Sequence, residues 1–86
     1  MTDEMTVRIR SVLSQHARLP GDVDSVADDA DLFQAGMSSH ASVSVMLGLE
    51  EEFDVEFPDS MLKRSVFESI SAIRAALNQL QADVAA

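Results

Sequence analysis

The spacing of apolar residues predicts that the chain begins with a helix and continues into a long loop. Residues 5–16 carry apolar side chains at the spacing of one helix face: Met5, Ile9, Val12 and Leu13. The helix should end before Pro20, because the residue that precedes a proline avoids the helical region. Residues 20–37 are polar and rich in Asp, which predicts a loop with room for one helical turn. An ordered loop of this length in a small domain usually has a function.

A second helix is predicted over residues 39–53, with Ser38 placed to cap its N-terminus. Four residues are expected to form its inward stripe: Ser42, Met46, Leu49 and Phe53. Four others share a helical spacing but lie off that stripe: His40, Val43, Leu47 and Glu51. Apolar residues on an outward face indicate a surface that contacts a partner. A wide core stripe bordered by Val43 and Leu47 is the equal alternative.

The remaining sequence predicts a short helix and a final long one. Asp59 is placed to cap a short turn that contains Met61 and Leu62, and a last helix should begin near Ser69. Its inward face is expected at Ile70, Ile73, Leu77 and Leu80. No strand alternation is present, so the fold class is all-α: a small bundle of three longer helices plus one short helix. We expect a single domain over residues 1–86, ordered over about 5–80, with a frayed tail at residues 81–86.

Composition and charge narrow the classes of function. Fifteen Asp and Glu against six Lys and Arg give a net charge of −9, so nucleic acid and anionic membranes would repel the chain. The absence of Cys excludes a disulfide framework and a thiol nucleophile, and it predicts a cytoplasmic location. The charged N-terminal residues 1–13 are typical neither of a signal peptide nor of a membrane span.

The acids at the end of the second helix indicate a basic partner. Five of them fall within seven residues: Glu50, Glu51, Glu52, Asp54 and Glu56. Carboxylates are mildly unfavourable at a helix C-terminus, where the macrodipole is negative. A run of charge is usually a solvated face, which is the alternative here. Because these acids adjoin the outward apolar residues, we assign Glu51 and Glu52 to partner contact.

Two further kinds of site are tested by spacing and rejected. The Asp-rich loop does not fit a calcium-binding loop counted from Asp22, since its sixth position is Ala27 instead of Gly and its twelfth is Phe33 instead of Glu. His40 has no neighbouring thiol and no orienting carboxylate at helical spacing, so a contact role is favoured over catalysis. We therefore expect no metal site and no catalytic residue.

The start of the second helix carries the most specific pattern. Gly36-Met37-Ser38-Ser39 precedes free helix N–H groups that favour an anion. The segment 31–39, followed by Val43 and the segment 49–59, resembles the acyl carrier proteins. Their pattern is a Gly-x-Asp-Ser-Leu turn and a helix that ends in Leu-Glu-x-x-Phe before a proline. The spacing from Gly36 and the spacing back from Leu49-Glu50 both select Ser39, and the resemblance covers about residues 5–80.

Two departures point to a narrower group. Ser38 stands where the family usually has Asp, and His40 stands where it usually has Leu. The segments Gly36 to Val43 and Met61 to Ile70 are similar to aminoacyl carrier proteins. Those proteins are loaded by stand-alone ligases that look like the catalytic core of seryl-tRNA synthetase.

The resemblance implies a carrier and not an enzyme. A phosphopantetheinyl transferase would attach 4′-phosphopantetheine from coenzyme A to Ser39, and the arm's thiol would hold an amino acid or acyl group as a thioester. The implied partners are that transferase and an amino acid:carrier-protein ligase or acyl-loading enzyme with a basic surface, acting on a monomer. The alternatives are an ordinary fatty-acid, polyketide or peptide-synthesis carrier, and an unmodified helical interaction module.

Overall fold

The computed structural model describes the backbone of residues 4–85 and the side chains of residues 4–81. It contains four α-helices: α1 Glu4–His16, α2 Ser39–Phe53, α3 Arg64–Phe67 and α4 Ile70–Ala85. Two 3₁₀ turns, Val23–Ser25 and Asp59–Met61, lie in the connections. No strand is present within this range, so the prediction of an all-α bundle with one short helix is confirmed.

The ends of the elements agree with the sequence in most places. The Ser69 hydroxyl accepts a hydrogen bond from the Ala72 N–H at 3.0 Å and so begins α4 where it was expected. Asp59 does not cap its turn as predicted, because it is the first residue of the turn and Pro58 occupies the cap position. The backbone is helical as far as Ala85. The predicted fraying of residues 81–86 stays a prediction, since residue 86 and the side chains of residues 82–86 lie outside the described residues.

The hydrophobic core lies where α1 packs against both α2 and α4. Its largest fully buried side chains come from all three helices and from the first long loop: Ile9, Leu13, Leu32, Val45, Leu49, Ile70, Ile73 and Leu77. The apolar face predicted for α1 is buried apart from Met5, which is half-buried, and the face predicted for α4 is buried throughout.

The inward face of α2 differs from the predicted stripe. Ala41, Val45 and Gly48 face the core together with Leu49 and Phe53, whereas Ser42 and Met46 are half-buried at its edge. The prediction was wrong for Ser42, because Gly48 lies against α1 and the face through Ala41 and Val45 therefore turns to the core. Met46 packs against the core from its edge. A Cβ on Gly48 would lie 2.7 Å from Cδ2 of His16, so the missing side chain makes room for that ring. His16 is accordingly half-buried against α2.

The long connection between α1 and α2 is held to the rest of the bundle at several points. The Arg10 guanidinium donates to the Val23 carbonyl at 2.7 Å. The Ser71 N–H donates to the Asp28 carbonyl at 2.9 Å, and the Leu32 N–H donates to the Glu68 carbonyl at 2.6 Å. The connection therefore crosses α1 and the start of α4 in a fixed path, which determines where α2 begins.

Candidate functional site

A tight turn over residues 31–37 delivers the chain to the start of α2. The Asp31 carboxylate accepts the Phe33 N–H at 2.9 Å and the Gln34 N–H at 3.3 Å. Gly36 has φ +123°, a backbone conformation that side chains disfavour, and a Cβ there would lie 2.6 Å from Cδ of Pro20. The Gly of the Gly36-Met37-Ser38-Ser39 motif is thus required by both backbone conformation and space.

The two serines that follow have different roles in the structure. Ser38 is the N-cap of α2, and its hydroxyl accepts the Ala41 N–H at 3.0 Å, which confirms the predicted cap. Ser39 is the first helical residue, is exposed, and lines a cleft beside α2. The hydroxyl of Ser38 therefore stabilises the start of α2, whereas Ser39 is exposed at the cleft.

The cleft beside Ser39 has a volume of about 290 Å³. One wall is the side of α2, and the other runs from the end of the second 3₁₀ turn into α3, with Phe33 from the loop between them. The lining residues are Phe33, Ser39, Ser42, Val43, Met46, Leu62, Lys63, Arg64 and Phe67. Arg64 crosses the ring of Phe33 with its guanidinium carbon 4.2 Å from the ring centre, a cation–π contact that orients it. The cleft thus combines apolar walls with two cations.

The outward face of α2 is exposed as its spacing predicts. Val43 and Leu47 are 51% and 55% exposed, so they lie outside the core and the alternative of a wide core stripe is excluded. His40 and Glu51 are exposed on the same helix. Leu62 adds a third large apolar side chain, 48% exposed, on the opposite wall of the cleft.

Two of the acids on α2 have partners within the chain. One carboxylate oxygen of Glu50 accepts the Phe57 N–H at 2.8 Å and so fixes the turn after α2. Glu52 forms an ion pair with Arg8 at 2.8 Å, and the Arg8 guanidinium also lies 4.4 Å from the centre of the Phe53 ring. The five acids between residues 50 and 56 all indicated a basic partner. Because Glu50 and Glu52 have partners within the chain, Glu51 is the stronger candidate for that contact and Glu52 the weaker one.

Neither a metal site nor a membrane-spanning helix is found among the residues that the structure describes. No group of His, Asp or Glu there is arranged to hold a metal ion. None of the described helices has the length and apolar character needed to cross a bilayer. The Asp-rich loop uses its carboxylates locally: Asp22 caps the first 3₁₀ turn, and Asp28 pairs with Arg10.

Sequence reasoning missed the far wall of the cleft. Leu62, Lys63 and Arg64 lie more than twenty residues from Ser39, and only the folded chain brings them to the same cleft. The signal that could have found them is the adjacent pair Lys63-Arg64 in so acidic a chain.

Comparison with known proteins decides the family. The family described as "Phosphopantetheine attachment site" matches residues 7–77. The chain belongs to this family of carrier proteins. Phosphopantetheine is accordingly its cofactor.

Similar carrier proteins support a narrower grouping. An aminoacyl carrier protein of Agrobacterium fabrum is 55% identical over 69 residues, which covers 80% of this chain and 83% of that protein. Aminoacyl carrier protein 1 of Bradyrhizobium diazoefficiens is 35% identical over 79 residues, or 91% of this chain and 83% of that protein. A crystal structure of an engineered Bradyrhizobium japonicum glycine:[carrier protein] ligase, complexed with ATP and a carrier protein from Agrobacterium tumefaciens, matches with a TM-score of 0.86. That match is 50% identical and covers 88% of this chain and 99% of the other.

Proposed function

We propose that the chain is an aminoacyl carrier protein whose phosphopantetheine arm is attached to Ser39. The observation that carries the assignment is the difference between the two serines at the start of α2. The Ser38 hydroxyl caps the helix, whereas Ser39 is exposed at the cleft and free to be modified. A phosphopantetheinyl transferase is the partner that would transfer the arm from coenzyme A.

The residues around Ser39 fit the group. When attached, phosphopantetheine supplies a terminal thiol that holds a carboxylic acid as a thioester. Ser39 lies at the N-terminus of a fifteen-residue helix, where free N–H groups and the macrodipole favour the phosphodiester. The chain itself contributes a rigid attachment point and a recognition surface, so we infer that it is not an enzyme. From the sequence we still expect the protein to be a monomer in the cytoplasm.

The proposed cargo is an amino acid, delivered by a stand-alone ligase. Two curated relatives are aminoacyl carrier proteins, and a similar carrier was crystallised with a glycine:[carrier protein] ligase, so glycine is the first amino acid to test. His40, Val43, Leu47, Glu51 and Glu52 are the proposed contacts. The apolar residues would supply buried area, and the carboxylates would attract a basic ligase surface.

Attachment is tested by intact mass after incubation with coenzyme A and a phosphopantetheinyl transferase. Wild type and Ser38→Ala should gain the mass of the arm, whereas Ser39→Ala should not. Both variants should remain folded, with Ser38→Ala losing about 1 kcal/mol as a lost cap. Attachment to Ser39→Ala but not to Ser38→Ala would show that the assignment is off by one residue. No gain in any of the proteins would favour an unmodified interaction module.

Cargo is tested by loading the arm-bearing protein in two ways. An amino acid:carrier-protein ligase with ATP and amino acids should produce a thioester that hydroxylamine releases. A fatty acyl-loading enzyme, used in parallel with fatty acids, should give little product. The reverse result would assign the chain to ordinary fatty-acid or polyketide synthesis.

A further inference from the structure

The basic residues of this acidic chain are not all used in the same way. Arg8 and Arg10 form ion pairs with Glu52 and Asp28 on neighbouring segments. Lys63 and Arg64 differ, because within the described residues neither has a carboxylate in ion-pairing contact. Arg18 also has no ion pair among these residues, but it lies outside the cleft, whereas Lys63 and Arg64 are adjacent in the sequence and both line it. Their charge is therefore available to an anion that is not part of the polypeptide.

Both cations line the same cleft as Ser39. The Arg64 guanidinium is held over the ring of Phe33, so it is oriented before any ligand arrives. Lys63 precedes it and is exposed, as is Arg64. The opposite wall includes the N-terminus of α2 at Ser39, where the first N–H groups of a helix have no partner within the helix. An anion joined to Ser39 would therefore meet positive charge on two sides.

We propose that Lys63 and Arg64 bind the phosphodiester of the phosphopantetheine arm and hold the base of the arm in this cleft. The inference rests on the proposed attachment at Ser39. The phosphodiester is the one anionic group that attachment places beside the cleft. A guanidinium and an ammonium can each donate charge-assisted hydrogen bonds to phosphate oxygens. Lys63 and Arg64 are thus positioning residues, which set the direction in which the arm leaves the protein.

The first experiment is a comparison of melting temperatures with and without the arm. Wild type, Lys63→Gln, Arg64→Gln and the double variant are prepared in both forms, and intact mass verifies attachment. Attachment of the arm should raise the melting temperature of the wild type by roughly 2–6 °C more than it raises that of the double variant. This difference is the one expected for a modest electrostatic contact in a domain of this size. Comparing the two forms of each variant removes any effect of Arg64→Gln on the bare fold. The shift should shrink in 1 M salt, which screens such contacts.

Arg18→Gln is the matched control, since Arg18 is an exposed base outside the cleft. It should leave the effect of the arm unchanged. The proposal would be overturned if the arm changed the melting temperatures of the wild type and the double variant equally. It would also be overturned if Arg18→Gln reduced the effect of the arm as much as the cleft variants do, because net charge alone would then explain the shift.

The second experiment uses the fact that Lys63 is the one lysine in the sequence. Reductive methylation with ¹³C-formaldehyde keeps its charge and labels Lys63 together with the terminal amine. Attachment of the arm should shift and broaden the Lys63 signal and leave that of the terminal amine in place. The ³¹P signal of the arm should differ between wild type and Arg64→Gln.

The outcomes separate the two proposals. No gain of mass at Ser39 overturns both the attachment and the phosphodiester contact. A normal gain of mass with unchanged Lys63 and ³¹P signals overturns the contact and leaves the carrier function standing. If the double variant is loaded slowly by the ligase while these signals stay unchanged, the two cations contact an acidic patch of the ligase, and the phosphodiester contact is again excluded.

Discussion

Replacing Gly36 by Ala tests whether the turn before α2 is built as described. Two costs add at this position. The backbone has φ +123°, where a residue with a side chain is strained by about 1–3 kcal/mol. A Cβ there would also lie 2.6 Å from Cδ and 3.2 Å from Cγ of Pro20, atoms of a ring that cannot rotate away. Overpacking of this kind costs about 1–3 kcal/mol.

The sum, about 2–6 kcal/mol, is large for a domain of this size, whose net stability is only a few kcal/mol. A loss of 2 kcal/mol would lower the melting temperature by roughly 8–16 °C, and a larger loss would leave the chain largely unfolded at room temperature. Because the turn delivers Ser38 and Ser39 to α2, attachment of the arm should slow as well.

The measurement is thermal unfolding followed by circular dichroism, with Gly21→Ala as the matched control. Gly21 also lies in the first connection, but a Cβ there would have no neighbour within 4 Å, and its backbone is outside the region that favours glycine. Gly21→Ala should therefore change stability by less than about 0.5 kcal/mol. If Gly36→Ala has the same melting temperature as Gly21→Ala and the wild type, the turn before α2 is not constrained as the structure indicates.

Three other predictions concern α2. Val43→Ala and Leu47→Ala should each change the free energy of unfolding by about 0.5 kcal/mol or less and still cost more than about 1 kcal/mol of ligase binding, whereas Leu49→Ala, at a buried position, should cost about 2–5 kcal/mol of stability. Thermal unfolding and ligase loading rates test this, and a large loss of stability in Leu47→Ala would show that Leu47 belongs to the core. Glu51→Lys should slow association with the ligase in stopped-flow measurements, and the association rate of the wild type should fall as the salt concentration rises. A wild-type rate that does not depend on salt would show that Glu51 belongs to a solvated face. Ser38→Asp should preserve the cap, because an Asp carboxylate can accept the same Ala41 N–H. It should also raise the rate at which a general phosphopantetheinyl transferase modifies Ser39, since the acyl carrier proteins usually have Asp at this position. An unchanged rate would mean that such a transferase does not recognise this Asp.

The helices and the outward face of α2 could be predicted because they depend on local rules. The predicted limits of α2, residues 39–53, agree with the structure, since Ser38 is a strong N-cap and Asp54 ends the helix in a left-handed conformation. The same helical spacing placed Val43 and Leu47 away from the core. These features required only the order of residues along one segment.

The features that the sequence did not predict depend on contacts between distant segments. From the sequence alone, Gly48 gives little sign of facing the core. In the structure it lies against His16, and α2 is therefore rotated so that Ala41 and Val45 face the core. The partners of Glu50 and Glu52 could not be inferred from a run of acids. Lys63 and Arg64 join the cleft only when the chain after α2 folds back beside Ser39.

The central claim is that Ser39 bears an arm loaded with an amino acid. Its most direct test is the intact mass of the protein purified from its own cells with the load still attached, with the modified residue located by fragmentation. We expect a phosphopantetheine group on Ser39 that carries an amino acid, and loss of that amino acid on treatment with hydroxylamine. An arm that carries a fatty acyl chain, an arm on another residue or a chain with no arm would contradict it.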